Sequence, residues 1–168
     1  EFDQQRRDRY GRTLAYLWLT GEGGAVMTNE LLVAEGYALP YAFPPNLRYT
    51  GLFREAFNRA RSSGKGLWGR ARGRLFTPAQ VWAELPSVAG RFITVNFKVR
   101  DVTSSKTRVC LRSDKGNASL VVYESDTGQF DRLEKYAGST LTIMGKVTPG
   151  FNGPEILLVD PVQILSIR

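Results

Sequence analysis

From Arg91 the sequence turns to a period of two and holds it almost to the end of the chain. RFITVNFKVRDV reads as one long strand, because successive side chains of a strand face opposite ways and alternate apolar residues bury one face. Thr103 to Lys106 make a turn, TRVCLRS is a second strand, DKGN turns again, and ASLVVYE is a third. In DTGQFDRLEKYAG the apolar Phe130, Leu133 and Tyr136 share one helical side, and Gly138 ends the segment. STLTIMGKV, the glycine-rich turn TPGFNGP, EILLV and VQILSI close the series.

Three strands, a helix and two further strands within residues 90–168 follow the order of a five-stranded OB-fold barrel. A long first strand that curls to serve two sheets fits that order, and an SH3-like barrel would lack the helix. Residues 70–89 read as a basic linker with a short helix in TPAQVWAEL. There Thr77 caps, Pro78 takes the first helical position and Gln80 completes a capping box. Residues 1–69 form the remaining part. RTLAYLWL (12–19) is rich in β-formers and TGEGG turns it. TNELLVAEG is a short helix capped by Thr28 or Asn29 and stopped by Gly36, and a longer helix over 49–63 ends at Gly64. The fold class is therefore mainly β with helices, α+β.

Composition narrows the chemistry. The chain has no histidine, which removes His-dependent nucleases, Ser-His-Asp hydrolases and His-ligated zinc. Its one cysteine, Cys110, excludes an internal disulfide and a Cys-rich zinc site, and it reads as packed or half-buried in a strand. Carboxylates, arginine, lysine and tyrosine remain, with a hard metal such as calcium or magnesium. No apolar run approaches the roughly 20 residues that span a bilayer, and residues 1–15 show no signal-peptide core. The net charge of +7 is uneven: residues 1–75 hold 12 Lys/Arg against 7 Asp/Glu, and residues 76–168 hold 11 against 9. Lys65, Arg70, Arg72 and Arg74 cluster in GKGLWGRARGRLF with no acid among them. Such a surface draws polyanions by releasing counterions, or simply keeps a protein soluble.

EFDQQRRDRYGRTLAYLWL, NELLVAEGYA, PYAFPPN and FREAFNRARSSGKGLW, in this order and spacing, closely resemble the C-terminal half of a staphylococcal-type nuclease (thermonuclease) domain. The resemblance covers roughly residues 1–69. It implies an OB-type barrel and calcium-dependent cleavage of phosphodiester bonds in DNA and RNA. The expected architecture is thus an incomplete nuclease-type OB barrel with two helices, linked to a second five-stranded OB-fold barrel. YAGSTLTIMGKV and NGPEILLVDPVQILSI resemble bacterial OB-fold nucleic-acid-binding modules, a likeness of fold more than of site.

What the resemblance implies for the site can be carried over residue by residue. Arg12 falls on one of two arginines that contact the scissile phosphate, a catalytic position. Without that match, an arginine pinning a turn against Asp8 is the plainer reading. Tyr41 and Phe43 fall on the substrate-stacking pair, Phe43 where tyrosine is usual, so a hydroxyl is lost there. Trp68 reads as core. The family's acidic calcium ligands, in motifs of the type D-G-D-T and D-x-P-E, do not occur in residues 1–168, nor do its other arginine and its catalytic glutamate. The chain is expected to start inside a domain, with an upstream segment either cleaved and still bound or absent, and to cut nothing alone. The family also implies export, to the medium or the cell envelope; no membrane partner is expected.

For the barrel, Phe97, Lys98 and Arg100 on the first strand, Arg108 and Arg112 on the second, Tyr123 on the third and Phe151 in the last long turn are candidate contacts to a single strand. Lys65, Arg70, Arg72 and Arg74 are candidate phosphate contacts in the connector. The favoured partner is nucleic acid, single-stranded DNA or RNA. The rival readings are a non-catalytic binder built from OB folds and a protein-interaction scaffold.

Overall fold

In the computed structural model the described residues are 1–40, 44–71 and 73–168, with the backbone alone at Ser125. The chain divides into two compact units, Glu1–Gly69 and Arg70–Arg168. The whole is mixed α+β with one large sheet.

In the first unit, β1 (Trp18–Gly21) and β2 (Gly24–Met27) pair as an antiparallel hairpin, Trp18 opposite Met27. The strand expected over 12–19 begins late, because residues 8–13 are consumed by a turn that leaves one bridge, Arg7 to Thr13. α1 (Thr28–Ala34) follows directly. Neither Thr28 nor Asn29 caps it; Met27 holds the cap position without a side-chain bond. Asn29 is engaged elsewhere, accepting from the Leu17 N–H at 2.8 Å and donating to the Ala15 carbonyl at 3.2 Å. α2 (Thr50–Ser63) runs as its spacing predicts and ends at Gly64 in the left-handed region. It buries Ala56, Phe57 and Ala60, and α3 (Leu67–Ala71) sets buried Trp68 edge-to-face on Phe57 at 4.6 Å.

Two carboxylates tie the start of this unit to the hairpin and to α2. Glu1 accepts from Trp18 Nε1 at 2.9 Å and from the Tyr49 hydroxyl at 3.0 Å, and it pairs with Arg48. Asp3 accepts from the Tyr16 hydroxyl and the Arg48 N–H, each at 3.0 Å. The Tyr49 hydroxyl above all holds the Glu1 carboxyl below its usual range, and the Arg48 N–H does so for Asp3. Burial, with Asp3 beside it, pushes the Tyr16 phenol up to about 12.

In the second unit, β3 (Leu75–Phe76) runs parallel to β4 (Phe92–Ser104). Between them α4 (Pro78–Ala83) carries the expected capping box: Thr77 Oγ1 accepts the Gln80 N–H and Gln80 Oε1 accepts the Thr77 N–H. The helix does not continue through Leu85. Pro86 cannot supply the N–H that continuation needs, so a separate turn, α5 (Leu85–Val88), begins there.

β5 (Arg108–Ser113), β6 (Ser119–Tyr123), α6 (Glu124–Thr127), β7 (Thr140–Gly150), β8 (Gly153–Leu157) and β9 (Ile164–Ile167) complete the order. β4 pairs with β5, β5 with β6, β6 with β8 in parallel, β8 with β7, and β7 with β4 again, so five strands return to their start. β4 serves both sides of this ring. Phe92 to Lys98 pair with β7, Val99 to Ser104 pair with β5, and the register slips between Val99 and Asp101 where the strand changes partner. The helix expected over 126–138 is instead α6 followed by a 3-10 turn at Leu133–Tyr136, with Arg132 in a non-helical conformation ahead of that turn; Phe130, Leu133 and Tyr136 are buried all the same. The last long turn is shorter than expected: only Phe151 and Asn152 separate β7 from β8.

Phe97 corrects an expectation. It is fully buried in the core with Val95, Val99, Leu111, Leu120, Leu141 and Ile156, so it has no face to offer a base. Val81 and Val88 from α4 and α5 join the same cluster.

Gln163, fully buried, clips the end of the ring. Its Nε2 donates to the carbonyls of Met144 and Leu157, both at 2.9 Å, and its Oε1 accepts the N–H groups of Val159 and Asp160. Gln163→Ala withdraws all four bonds from a buried place. The expected cost is about 3 kcal/mol in the urea unfolding of the second unit. A loss under about 0.5 kcal/mol would show that the amide is incidental.

Candidate nucleic-acid interface

Arg12 stands in a turn built by the Asp8 carboxylate. Asp8 Oδ1 accepts the N–H groups of Tyr10 and Arg12, each at 2.9 Å, and the Asp8 carbonyl accepts the Gly11 N–H at 3.0 Å. Gly11 takes φ +79, which a side chain would strain. Asp8 Oδ2 then receives Arg12 Nε at 2.5 Å. The guanidinium is thus tethered through one nitrogen while the Arg12 side chain remains 74% exposed. The Tyr10 ring meets two guanidinia, Arg9 at 4.9 Å and Arg12 at 5.2 Å. This contact was missed in the sequence, although Tyr10 adjoins Gly11 and Arg12 in the same short block.

Asp8 is both the turn's clamp and the arginine's partner, so the plainer reading of Arg12 is physically present. It does not compete with the phosphate reading. Nη1 and Nη2 have no hydrogen-bonding partner among the described residues. Burial pushes the Asp8 carboxyl up, but the hydrogen bonds from the Arg12 side chain and from the backbone of Arg12 and Tyr10 outweigh it and lower it.

The connector cations are less available than the sequence suggests. Lys65 pairs with Glu35 at 2.5 Å. Arg74 makes a two-pronged pair with Glu84, at 2.6 and 2.7 Å, and lies 4.3 Å over the Phe76 ring. Arg70 is exposed on α3. Tyr41, Phe43 and Arg72 lie outside the described residues.

In the second unit a hollow of about 400 Å³ opens on the outer side of β5, β6 and β8. It gathers three of the expected arginines, Arg100, Arg108 and Arg112, with Glu155. Each arginine has a carboxylate behind it. Asp101 accepts from Arg100 at 2.7 Å and Arg112 at 2.6 Å, and Glu155 accepts from Arg108 at 2.8 Å. The Arg100 and Arg112 bonds hold the Asp101 carboxyl below its ordinary range. The three arginines of the hollow and the two carboxylates that hold them, Glu155 within it and Asp101 beside it, sum to +1. Cys110 lines it half-buried; burial pushes its thiol up against the pull of Arg108 and Arg112.

Other expected contacts fall outside the hollow. Lys98 donates to the Gly138 carbonyl, on the part of β4 that faces β7. Tyr123 is exposed opposite Arg108 at the end of β6. Phe151 is 99% exposed at the β7–β8 turn, whose next residues, Asn152 and Gly153, line the hollow.

The family model for staphylococcal nuclease homologues matches residues 1–70. Over that segment the chain is similar to the staphylococcal nucleases. The thermonuclease of Staphylococcus hyicus is 43% identical over 68 residues, 40% of this chain and 38% of its own length. The endonuclease YncB of Bacillus subtilis is 37% identical over 73 residues, 42% of this chain and 33% of its own. The chain therefore spans well under half the length of these curated relatives. Among solved structures, an aspartyl tRNA synthetase from Entamoeba histolytica is 22% identical, covering 47% of this chain and 20% of its own, with a TM-score of 0.36. The turn that holds Arg12 lies within the matched residues.

Because the folded-state pKa of Asp8 is depressed, the turn is held fully above the ordinary carboxylate value of 3.8 and released as pH falls through the lower folded value. The protection of the Tyr10 and Arg12 amides relative to their intrinsic exchange rates, followed by NMR, should therefore hold down to that range and be lost below it. Asp8→Ala should lack that protection at every pH. Unaltered protection in Asp8→Ala would remove the carboxylate from its role.

Proposed function

We propose that this chain supplies the phosphate-contacting turn and a strand-holding module of a calcium-dependent phosphodiesterase acting on DNA and RNA. The observation that carries the reading is the Arg12 guanidinium, tethered through Nε by Asp8 and otherwise exposed, within the segment similar to thermonucleases. A guanidinium fork gives phosphate two parallel hydrogen bonds and stays protonated while negative charge builds on the oxygens of the transition state. On the resemblance, Tyr41 and Phe43 flank the nucleotide.

Calcium does not fit the residues at hand. Among the described residues no three of Asp, Glu, Cys or His gather closely enough to hold a metal. On this reading its ligands belong to a further segment. The exposed apolar side chains of Leu17, Leu19 and Val26 on and beside the β1–β2 hairpin support an upstream β-segment as their cover. A two-stranded hairpin is marginal by itself.

The second unit is read as an OB-type barrel that grips single strands. Its support is the closed order of five strands, the parallel β6–β8 pair and the helical segment between the third and fourth. Export to the medium or cell envelope belongs to the same proposal; among the described residues no helix is long and apolar enough to cross a membrane.

With calcium, the 168-residue chain should leave plasmid and single-stranded DNA intact. Joined to a segment bearing the acidic motifs it should cleave, and Arg12→Lys should then lower turnover by about 10²–10³-fold with little change in substrate affinity. Calcium-dependent cleavage by the pure chain would overturn the incomplete site. Unchanged turnover in Arg12→Lys would make Arg12 a structural residue.

A further inference from the structure

Trp82 was not a candidate from the sequence, yet its setting is unusual for a tryptophan. It lies on α4, outside the ring of strands, and is 49% exposed. Its six-membered ring rests directly on the backbone of Gly153. A Cβ built on Gly153 would stand 2.7 Å from Trp82 Cζ3, 3.0 Å from Cε3 and 2.2 Å from the Asn117 carbonyl oxygen. No side chain fits there, and the φ of +137 also calls for glycine. The indole therefore has a fixed seat on one side and water on the rest.

That seat is the rim of the arginine-lined hollow. Asn117, Asn152 and Gly153 all line the hollow, and Asn117 Nδ2 donates to the Asn152 carbonyl at 2.9 Å, pinning the two loops together. Next along the chain from Asn152 is Phe151, with its ring almost wholly in solvent. α4 itself is anchored by its capping box and by buried Val81. The result is a half-exposed aromatic surface at the rim of a hollow lined by three paired guanidinia. Flat apolar units spaced along a chain of negative charges are what this combination matches.

We infer that Trp82 is a stacking platform for one base of a single-stranded nucleic acid whose neighbouring nucleotide sits in the arginine-lined hollow against Gly153 and Asn117. This rests on the reading that the second unit binds single strands, and it extends the interface onto a helix outside the ring. The ring of Trp82 supplies sequence-tolerant stacking, because every base has a π-face. The arginines supply placed hydrogen bonds to phosphate, and the few phosphates that fit the hollow make the salt dependence shallow.

The test uses the full chain and thymidine and uridine oligomers of about ten nucleotides, within the usual span of such a site. In fluorescence anisotropy, Trp82→Ala should weaken binding about tenfold at every salt concentration and leave the salt slope unchanged, while Trp82→Phe recovers most of the loss. In chain labelled with 5-fluorotryptophan, the ¹⁹F resonance of Trp82 should shift on adding oligomer while that of buried Trp68 stays still. This second readout needs no Trp82 substitution and so does not depend on the variant's folding. If the native chain binds but the Trp82 resonance stays still and Trp82→Ala binds equally well, the inference falls and the single-strand reading stands. If the native chain binds neither oligomer, both fall.

Discussion

Carboxylates placed behind arginines are the constraint on which both candidate surfaces depend. Asp8 holds Arg12 by Nε, Asp101 is shared by Arg100 and Arg112, and Glu155 holds Arg108. Exposed ion pairs of this kind add little to stability. Their effect is on orientation: a guanidinium tethered through one edge keeps the other for a ligand and loses less rotamer freedom on binding. The arrangement also trades bulk charge for geometry. A chain with a formal net charge of +7 has here three arginines and two partner carboxylates that sum to only +1, so recognition rests on placed donors and aromatic faces more than on a broad positive field.

In the second unit the device follows from how β4 is used. One strand pairs with β7 along its first half and with β5 along its second, and the register slip between Val99 and Asp101 marks the change. Arg100 lies at that slip, next to the Asp101 carboxylate that also receives Arg112 from β5. Closing the ring and assembling the arginine group are thus consequences of the same irregular point in a single strand.

What could be read from the sequence was local or periodic. The alternation after Arg91, the capping box at Thr77 and Gln80, and the α2 stop at Gly64 each depend on neighbours a few residues away. The same alternation held the answer for Phe97, which shares its parity with Ile93, Val95 and Val99 and so belongs to the buried face. Contacts over long separations were hidden. Asn29 fails as a cap because Ala15 and Leu17 claim its amide, and Lys65 and Arg74 lose their freedom to Glu35 and Glu84. Trp82 gains its place from Gly153, a partner on the last hairpin that no spacing rule connects to α4. For Arg12 the four-block resemblance pointed to phosphate, while the turn chemistry of Asp8 explains how the side chain is held.

The claim that Asp8 aims Arg12 at phosphate can be tested most directly by NMR on the side chain itself. In ¹⁵N-labelled chain, the Arg12 Nε–H should exchange slowly and keep its position when a single-stranded oligonucleotide is added, while the Nη resonances shift. A fast-exchanging Nε–H, or Nη resonances indifferent to saturating oligonucleotide, would contradict the account.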